Sequence, residues 1–329
     1  EALGRLRRRM RPFLLRRTKE QVAADLPAKT EQVLAVELGA KHRKAYDQRL
    51  ARERQRILGL LKEDTAQSRF IALKALTTLR QMALDPELVD GGDGTEPEDV
   101  EGAEDANEEA SGGKGGSGKK STRGKGMKGK AAAASVKGQR KPSRGPSPSA
   151  KVEALLEHLR PILSEGHRAL VFSQFTRYLS GVREHLEATG VRTAYMDGST
   201  PNRHDVIDAF RAGEADVFLI SLKAGGFGLT LTEADYVFLL DPWWNPQAEE
   251  QAVDRTHRIG QDKPVMVYRL VSADTIEEKV MALKEKKAEL FARVVEGAGD
   301  VETGEGAAGT GGLSPAALTA AEIRELIEG

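Results

Sequence analysis

The chain has 329 residues, enough for two or three units at roughly 100–200 residues per domain, and its 50 Lys+Arg balance its 50 Asp+Glu. That balance excludes a uniformly basic nucleic-acid coat and a wholly acidic tail. The absence of cysteine excludes disulfides, zinc–thiolate sites and cysteine nucleophiles.

Hydrophobic residues make up 39% and aromatics 5%, low for one compact domain of this length. No run of 18 apolar residues is present, so no membrane-spanning helix and no membrane partner are expected. The Arg-rich start, Glu1–Arg17, lacks the apolar stretch of a signal peptide. It begins with Glu rather than Met, as a fragment of a longer protein would.

Residues 1–90 read as helical, with many Leu, Ala, Arg and Glu and few Gly. Within them Lys41–Asp64 is a long charged helical pattern. Its thin apolar stripe of Ala45, Leu50, Ile57 and Leu61 predicts one-sided packing. Residues 91–150 hold 14 Gly and no aromatic, and cannot bury enough apolar surface to offset their ordering entropy. They read as a disordered linker, acidic over Asp93–Glu109 and basic over Lys114–Arg144. Residues 297–312 form a second Gly-rich stretch, followed by a short amphipathic pattern, Pro315–Ile327.

Between these, residues 151–296 alternate strand and helix. Strands are expected at Ala169–Ser173, Val191–Met196, Asp216–Ser221, Asp235–Leu240 and Val265–Val271. Helices are expected at Thr176–Thr189 and at Pro201–Arg211, the latter capped by Thr200. Another starts at Pro246 behind Asn245, and a last one runs to Val295 from a capping-box-like Asp274/Glu277 start. Continuous Val/Ile/Leu/Phe strands alternating with helices predict an α/β fold, a parallel sheet with helices on both faces.

Open parallel sheets bind ligands beyond the carboxyl ends of their strands. After Ser221 come Lys223 and the glycines Gly225, Gly226 and Gly228. These allow close backbone approach to a phosphate or sugar, or simply a tight strand-to-helix turn. After Leu240 comes Asp-Pro-Trp-Trp-Asn-Pro, in which one tryptophan is expected in the core and the other free to stack on a partner. The helix from Pro246 is expected to carry Gln251, Arg255 and Arg258, whose i, i+4, i+7 spacing puts all three on one face. Arginines there suit a phosphate, or form a solvated charged face paired with Glu249, Glu250 and Asp254. Gly113–Lys120 (GKGGSGKK) approaches a Walker A loop, but Lys120 stands where Ser or Thr must hold magnesium and no strand precedes it. The six histidines show no metal-ligand spacing, so no metal site is expected.

The run FLISLKAGGFGLTLTEADYVFLLDPWWNPQAEEQAVDRTHRIGQ, residues 218–261, resembles the C-terminal RecA-like lobe of Swi/Snf-type, superfamily-two DNA translocases. LVFSQF at 170–175, DGST at 197–200 and VYRLVSADTIEEKV at 267–280 are similar to the same family. So are RPFLLRRTKEQV at 11–22, LPAK at 26–29 and TTLRQMALDPEL at 77–88, which resemble its brace or protrusion segment. The resemblance implies a RecA-like lobe at 151–296 and a helical brace at 1–90. It implies that Arg255 and Arg258 reach ATP phosphates as arginine fingers and that Gln251 orders that site. Gly225, Gly226, Gly228 and Asp254 would lie by the nucleotide. Ser173, Gln174, Asp197, Gly198, Thr200 and Lys223 would touch the DNA backbone, and Trp244 would sit near the nucleic acid. Arg16 and Arg17 would brace one lobe against the other. Departures are Asp205 where the family often has Arg, and Asp85 where it usually has His.

The chain has no Walker A loop and no DExx box. The resemblance therefore implies that ATP with Mg2+ is held mainly by an N-terminal RecA-like lobe of the same protein, and that this segment alone does not hydrolyse it. Implied partners are double-stranded DNA, that lobe and a DNA-bound protein target. A bacterial, nucleoid-associated setting is expected, or a nuclear one in a eukaryote. The alternatives are a non-catalytic DNA-binding or regulatory module and a strand-separating helicase.

Overall fold

The computed structural model describes residues 26–63, 65–90, 148–222, 224, 229–296 and 318–328. The expected linker and the Gly-rich stretch after Glu296 fall almost entirely outside these residues.

Six strands form one sheet: β1 (Lys29–Val36), β2 (Ala169–Ser173), β3 (Thr193–Met196), β4 (Val217–Ser221), β5 (Tyr236–Leu239) and β6 (Val265–Ser272). Their order is β1-β6-β5-β2-β4-β3, and every pairing is parallel. The helices are α1 (Ala40–Leu60), α2 (Ala66–Leu84), α3 (Glu87–Asp90), α4 (Ala150–Ser164), α5 (Thr176–Ala188), α6 (Arg203–Ala212), α7 (Pro246–Val253), α8 (Ile276–Glu296) and α9 (Ala320–Glu328).

The period-two alternation of a strand sorts its side chains between two cores. Leu170 and Phe172 of β2, with Phe218 and Ile220 of β4, face a core shared with α1, α2, α6, α7, α8 and α9. Ala169, Val171, Val217 and Leu219 face a second core filled by Leu155, Leu159, Leu179 and Val182 of α4 and α5. Both faces of β2 and β4 are fully buried, which is why these strands are unbroken apolar runs.

Residues 1–90 are not helical throughout. Lys29–Val36 is an edge strand in register with β6, from Lys29 opposite Val265 to Val36 opposite Ser272. The free edge of β6 supplies the hydrogen bonds, and the first half of this edge strand is exposed on both faces, which tolerates the polar Glu31 and Gln32, so pairing overrides local propensity. Two helix starts also differ from expectation. The Thr200 hydroxyl accepts a hydrogen bond from the Asp197 backbone N–H at 2.9 Å, inside the preceding turn, so α6 begins two residues after Pro201. At α8 the capping hydroxyl is that of Thr275, which accepts from the Glu277 N–H at 3.2 Å, while Asp274 takes a left-handed φ of 52°.

α4 is tied to α8 and the sheet by a buried ion pair. Lys151 Nζ lies 2.5 Å from Glu277 Oε2 and donates to the carbonyls of Leu240 at 2.6 Å and Leu270 at 3.0 Å. Glu277 also accepts the Ser272 N–H at 2.8 Å. The tail pattern is a docked helix: Ile323, Leu326 and Ile327 are buried, and Lys286–Glu325 and Lys287–Glu322 pair α8 with α9 at 2.7 and 2.6 Å. Among the described residues, no helix is long and apolar enough to cross a membrane.

Candidate nucleotide and nucleic-acid interface

Because all six strands run parallel, their carboxyl ends share one edge of the sheet. The segments Ser173–Phe175, Asp197–Thr200, Ser221–Leu222 and Asp241–Asn245 emerge there. Arg16, Arg17, Lys223, Gly225, Gly226 and Gly228 lie outside the described residues.

The Asp197–Thr200 turn is held by its first side chain. The Asp197 carboxylate accepts from the Ser199 N–H at 2.9 Å, the Ser199 hydroxyl at 2.7 Å, the Thr200 hydroxyl at 3.2 Å and the Tyr195 phenol at 3.1 Å. Partial burial raises the carboxyl's pKa, but these hydrogen bonds outweigh that and leave it below its ordinary value. Gly198 and Ser199 at the tip are exposed, and Arg203 Nη2 donates to the Gly198 carbonyl at 2.9 Å. The exposed tip of the turn, Gly198 and Ser199, therefore stands beside the Arg203 guanidinium.

Ser173 and Gln174, expected at the nucleic-acid surface, are buried instead. The Ser173 hydroxyl donates to Asp241 Oδ1 at 2.5 Å, and Gln174 Nε2 donates to Asp241 Oδ2 at 2.7 Å. Asp241 is itself buried, and desolvation raises its pKa against the opposing charge of Arg80. Its carboxylate requires these donors, and this draws both side chains inward.

The tryptophan pair also differs from expectation. Trp243 is 8% exposed and Trp244 3%, so neither ring is free to stack on a partner. Trp244 lies under the Arg80 guanidinium, whose Cζ is 5.2 Å from the ring centroid. The Trp243 N–H donates to Glu249 Oε1 on α7 at 2.6 Å. Glu249 pairs in turn with Lys284 at 2.7 Å and Arg269 at 3.5 Å.

α7 ends at Val253, before the arginines. The Arg255 and Thr256 N–H groups bond three residues back, to Ala252 and Val253, and the Thr256 hydroxyl donates to the Val253 carbonyl at 2.7 Å. Short-range bonds of this kind compete with helix propagation. Gln251, Arg255 and Arg258 therefore do not share one helical face. Gln251 is exposed, Asp254 half-buried, Arg255 buried and Arg258 half-buried.

Arg255 is 6% exposed, and its Nε and Nη1 are buried without a hydrogen-bond partner among the described residues. Burial, with the nearby positive charge of Arg258, lowers its pKa to about 10. The group stays a cation at neutral pH, desolvated and short of acceptors. Arg258 Nη1 reaches the Thr230 hydroxyl at 3.4 Å, and Leu231 N–H donates to the Arg255 carbonyl at 2.9 Å. The segment that carries both arginines thus lies against Thr230 and Leu231, just before β5. His257 Nε2 lies 2.8 Å from the Pro27 carbonyl and ties the same segment to the residue pair preceding β1. This donor set fits a phosphate or another oxyanion. Among the described residues, no cluster of three or more His, Asp or Glu is arranged to hold a metal.

Sequence reasoning missed Arg80, Asp241 and Glu249. A signal for Arg80 exists: it is a cation in an apolar-rich stretch with Leu76, Leu79, Met82, Ala83 and Leu84.

Residues 150–260 match the helicase conserved C-terminal domain and residues 1–88 the SNF2-related domain. The chain is 32% identical over 296 residues to the mouse SWI/SNF-related matrix-associated actin-dependent regulator of chromatin subfamily A member 1, covering 89% of this chain and 24% of that protein. Its fold is similar to the C-terminal part of the Fun30 ATPase domain, at TM-score 0.52 and 24% identity over 78% of this chain and 90% of that one. It is also similar to the Sulfolobus solfataricus SWI2/SNF2 ATPase core in complex with dsDNA, at TM-score 0.58 and 24% identity over 99% of this chain and 56% of that one. The chain spans about a quarter or less of the length of the curated relatives it matches. The parallel sheet, the SNF2-related segment and the helicase conserved C-terminal domain in one chain together support a Swi/Snf-type, superfamily-two C-terminal lobe.

Proposed function

We propose that the chain is the second motor lobe of an ATP-dependent translocase acting on double-stranded DNA. The observation that carries this reading is the buried Arg255 guanidinium beside Arg258, with two donor nitrogens unpartnered among the described residues. An anion of another lobe's nucleotide would complete it. ATP with Mg2+, held mainly by a first RecA-like lobe with its own Walker A loop and DExx box, supplies the transferred phosphoryl group. Arg255 and Arg258 then stabilise negative charge on the phosphate oxygens, the arginine-finger role. Gln251 and Asp254 flank them; Gly225, Gly226 and Gly228 adjoin the nucleotide. Lys223 and the Asp197–Gly198–Thr200 turn meet the DNA backbone. Arg16 and Arg17 brace the lobes, and a DNA-bound protein is the load.

In the intact protein, double-stranded DNA is expected to raise the rate of ATP hydrolysis, and the 329-residue chain alone is expected to show none. A rate indifferent to DNA would contradict the reading. Absence of hydrolysis from the intact protein would favour a regulatory DNA-binding module, and unwinding of a forked duplex would favour a strand-separating helicase.

The turn carries its own prediction. Asp197→Ala removes the acceptor of four hydrogen bonds and should weaken double-stranded DNA binding several-fold, read by fluorescence anisotropy. Wild-type affinity would remove the turn from the interface. Because its pKa is lowered on folding, Asp197 contributes stability that is complete above the unfolded carboxylate value and is lost as pH falls through the folded one. The affinity loss should therefore persist at neutral pH.

A further inference from the structure

Arg80 belongs to α2 of the SNF2-related segment, far in sequence from the helicase domain, yet it is 2% exposed at the centre of the DPWWNP turn. Its Nη2 donates to the Pro242 carbonyl and lies 3.8 Å from Asp241 Oδ2. Its Cζ lies over the Trp244 ring at 5.2 Å and over the Phe175 ring at 5.6 Å. One guanidinium therefore fixes the backbone, the carboxylate and the indole of the turn together.

The turn leads straight into α7. Asp241 also holds Ser173 and Gln174 at the end of β2. Trp243 N–H fixes Glu249 on α7, and α7 ends in the turns that carry Arg255 and Arg258. We infer that Arg80 is a positioning residue: it sets the DPWWNP turn, and through the turn and α7 it sets where Arg255 and Arg258 stand. This rests on the functional reading above for its effect on hydrolysis, but not for its effect on the turn.

A buried cation facing a buried carboxylate is also needed for charge balance, and a test must separate the two roles. Two variants do so. Arg80→Lys keeps the charge opposite Asp241 but lacks the planar fork and the stacking face. The double variant Arg80→Met with Asp241→Asn removes both charges and leaves no uncompensated ion. The readout is local, because Trp243 and Trp244 are the chain's two tryptophans. Tryptophan emission of the full chain therefore reports on this turn.

Both variants are expected to melt cooperatively near the wild-type temperature. Both should emit at longer wavelength with greater acrylamide quenching. In the intact protein both should lower DNA-stimulated kcat for ATP by about 10- to 100-fold with little change in KM, the cost of misplaced catalytic groups. Wild-type emission and turnover in either variant would overturn the inference and leave Arg80 as charge balance. If the intact wild-type protein itself does not hydrolyse ATP, the functional reading fails. The emission shift then still decides whether Arg80 sets the turn.

Discussion

Arg255→Met is expected to lose DNA-stimulated ATP hydrolysis in the intact protein by on the order of 10³-fold or more, the scale of an arginine finger, while melting no lower than wild type. The two effects have one cause. Nε and Nη1 of Arg255 are buried without partners among the described residues, and each such donor left unmade costs about 1–3 kcal/mol. Burial and the charge of Arg258 both act against the guanidinium, as its lowered pKa of about 10 records. A group that is costly to the resting fold and competent for phosphate marks a site where stability is traded for function. A methionine removes the cost and keeps the apolar stem. A variant that melts well below wild type would mean that Arg255 is structural. One that hydrolyses at the wild-type rate would remove it from the site.

Lys151→Met is expected to act in the opposite sense, with a large loss of stability and no direct contact with the proposed site. Lys151 is 1% exposed and bonds Glu277 and two strand-end carbonyls. Its removal leaves the fully buried Glu277 without its counter-charge, and breaking such a pair costs about 3–5 kcal/mol. At roughly 2–4 °C per kcal/mol for a domain of this size, thermal unfolding should shift down by about 6–20 °C. Adding Glu277→Gln removes the stranded charge while keeping an acceptor for the Ser272 N–H, and should recover most of the loss. Equal melting of Lys151→Met and wild type would show that water or another cation reaches Glu277.

The central sheet was legible because its strands are buried on both faces. Ala169–Ser173 was placed to the residue, and Val217–Ser221, Tyr236–Leu239 and Val265–Ser272 to within one residue at either end. β1 was not legible, since KTEQVLAV is polar over Lys29–Gln32 and apolar over Val33–Val36 without alternation, and becomes a strand only against the edge of β6. α4 was legible in principle: Val152, Leu155, Leu156, Leu159 and Ile162 recur at helical spacing, but they abut a linker whose composition dominated the reading.

At the site, the placements of several side chains were not legible. Arg255 and Arg258 both contact the Thr230–Leu231 segment, but past the end of α7 rather than along one face. Periodicity assumes that the helix continues, whereas the Thr256 hydroxyl and three-residue backbone bonds end it. Ser173, Gln174 and Trp244 moved from the surface to the interior because of partners distant in sequence: Asp241 recruits the first two, and Arg80, more than 160 residues upstream, covers the third. Only the tertiary structure brings such pairs together. A buried carboxylate and a buried guanidinium in one chain must find each other or incur the desolvation of both.

The most direct measurement of the motor-lobe reading is ATP hydrolysis by the Arg258→Ala protein, intact and saturated with double-stranded DNA. Arg258 is half-buried and its removal disturbs little of the core. The expected result is a rate lower by about 10³-fold or more with DNA affinity retained. Hydrolysis near the wild-type rate would contradict the assignment of this lobe as the source of the arginine fingers.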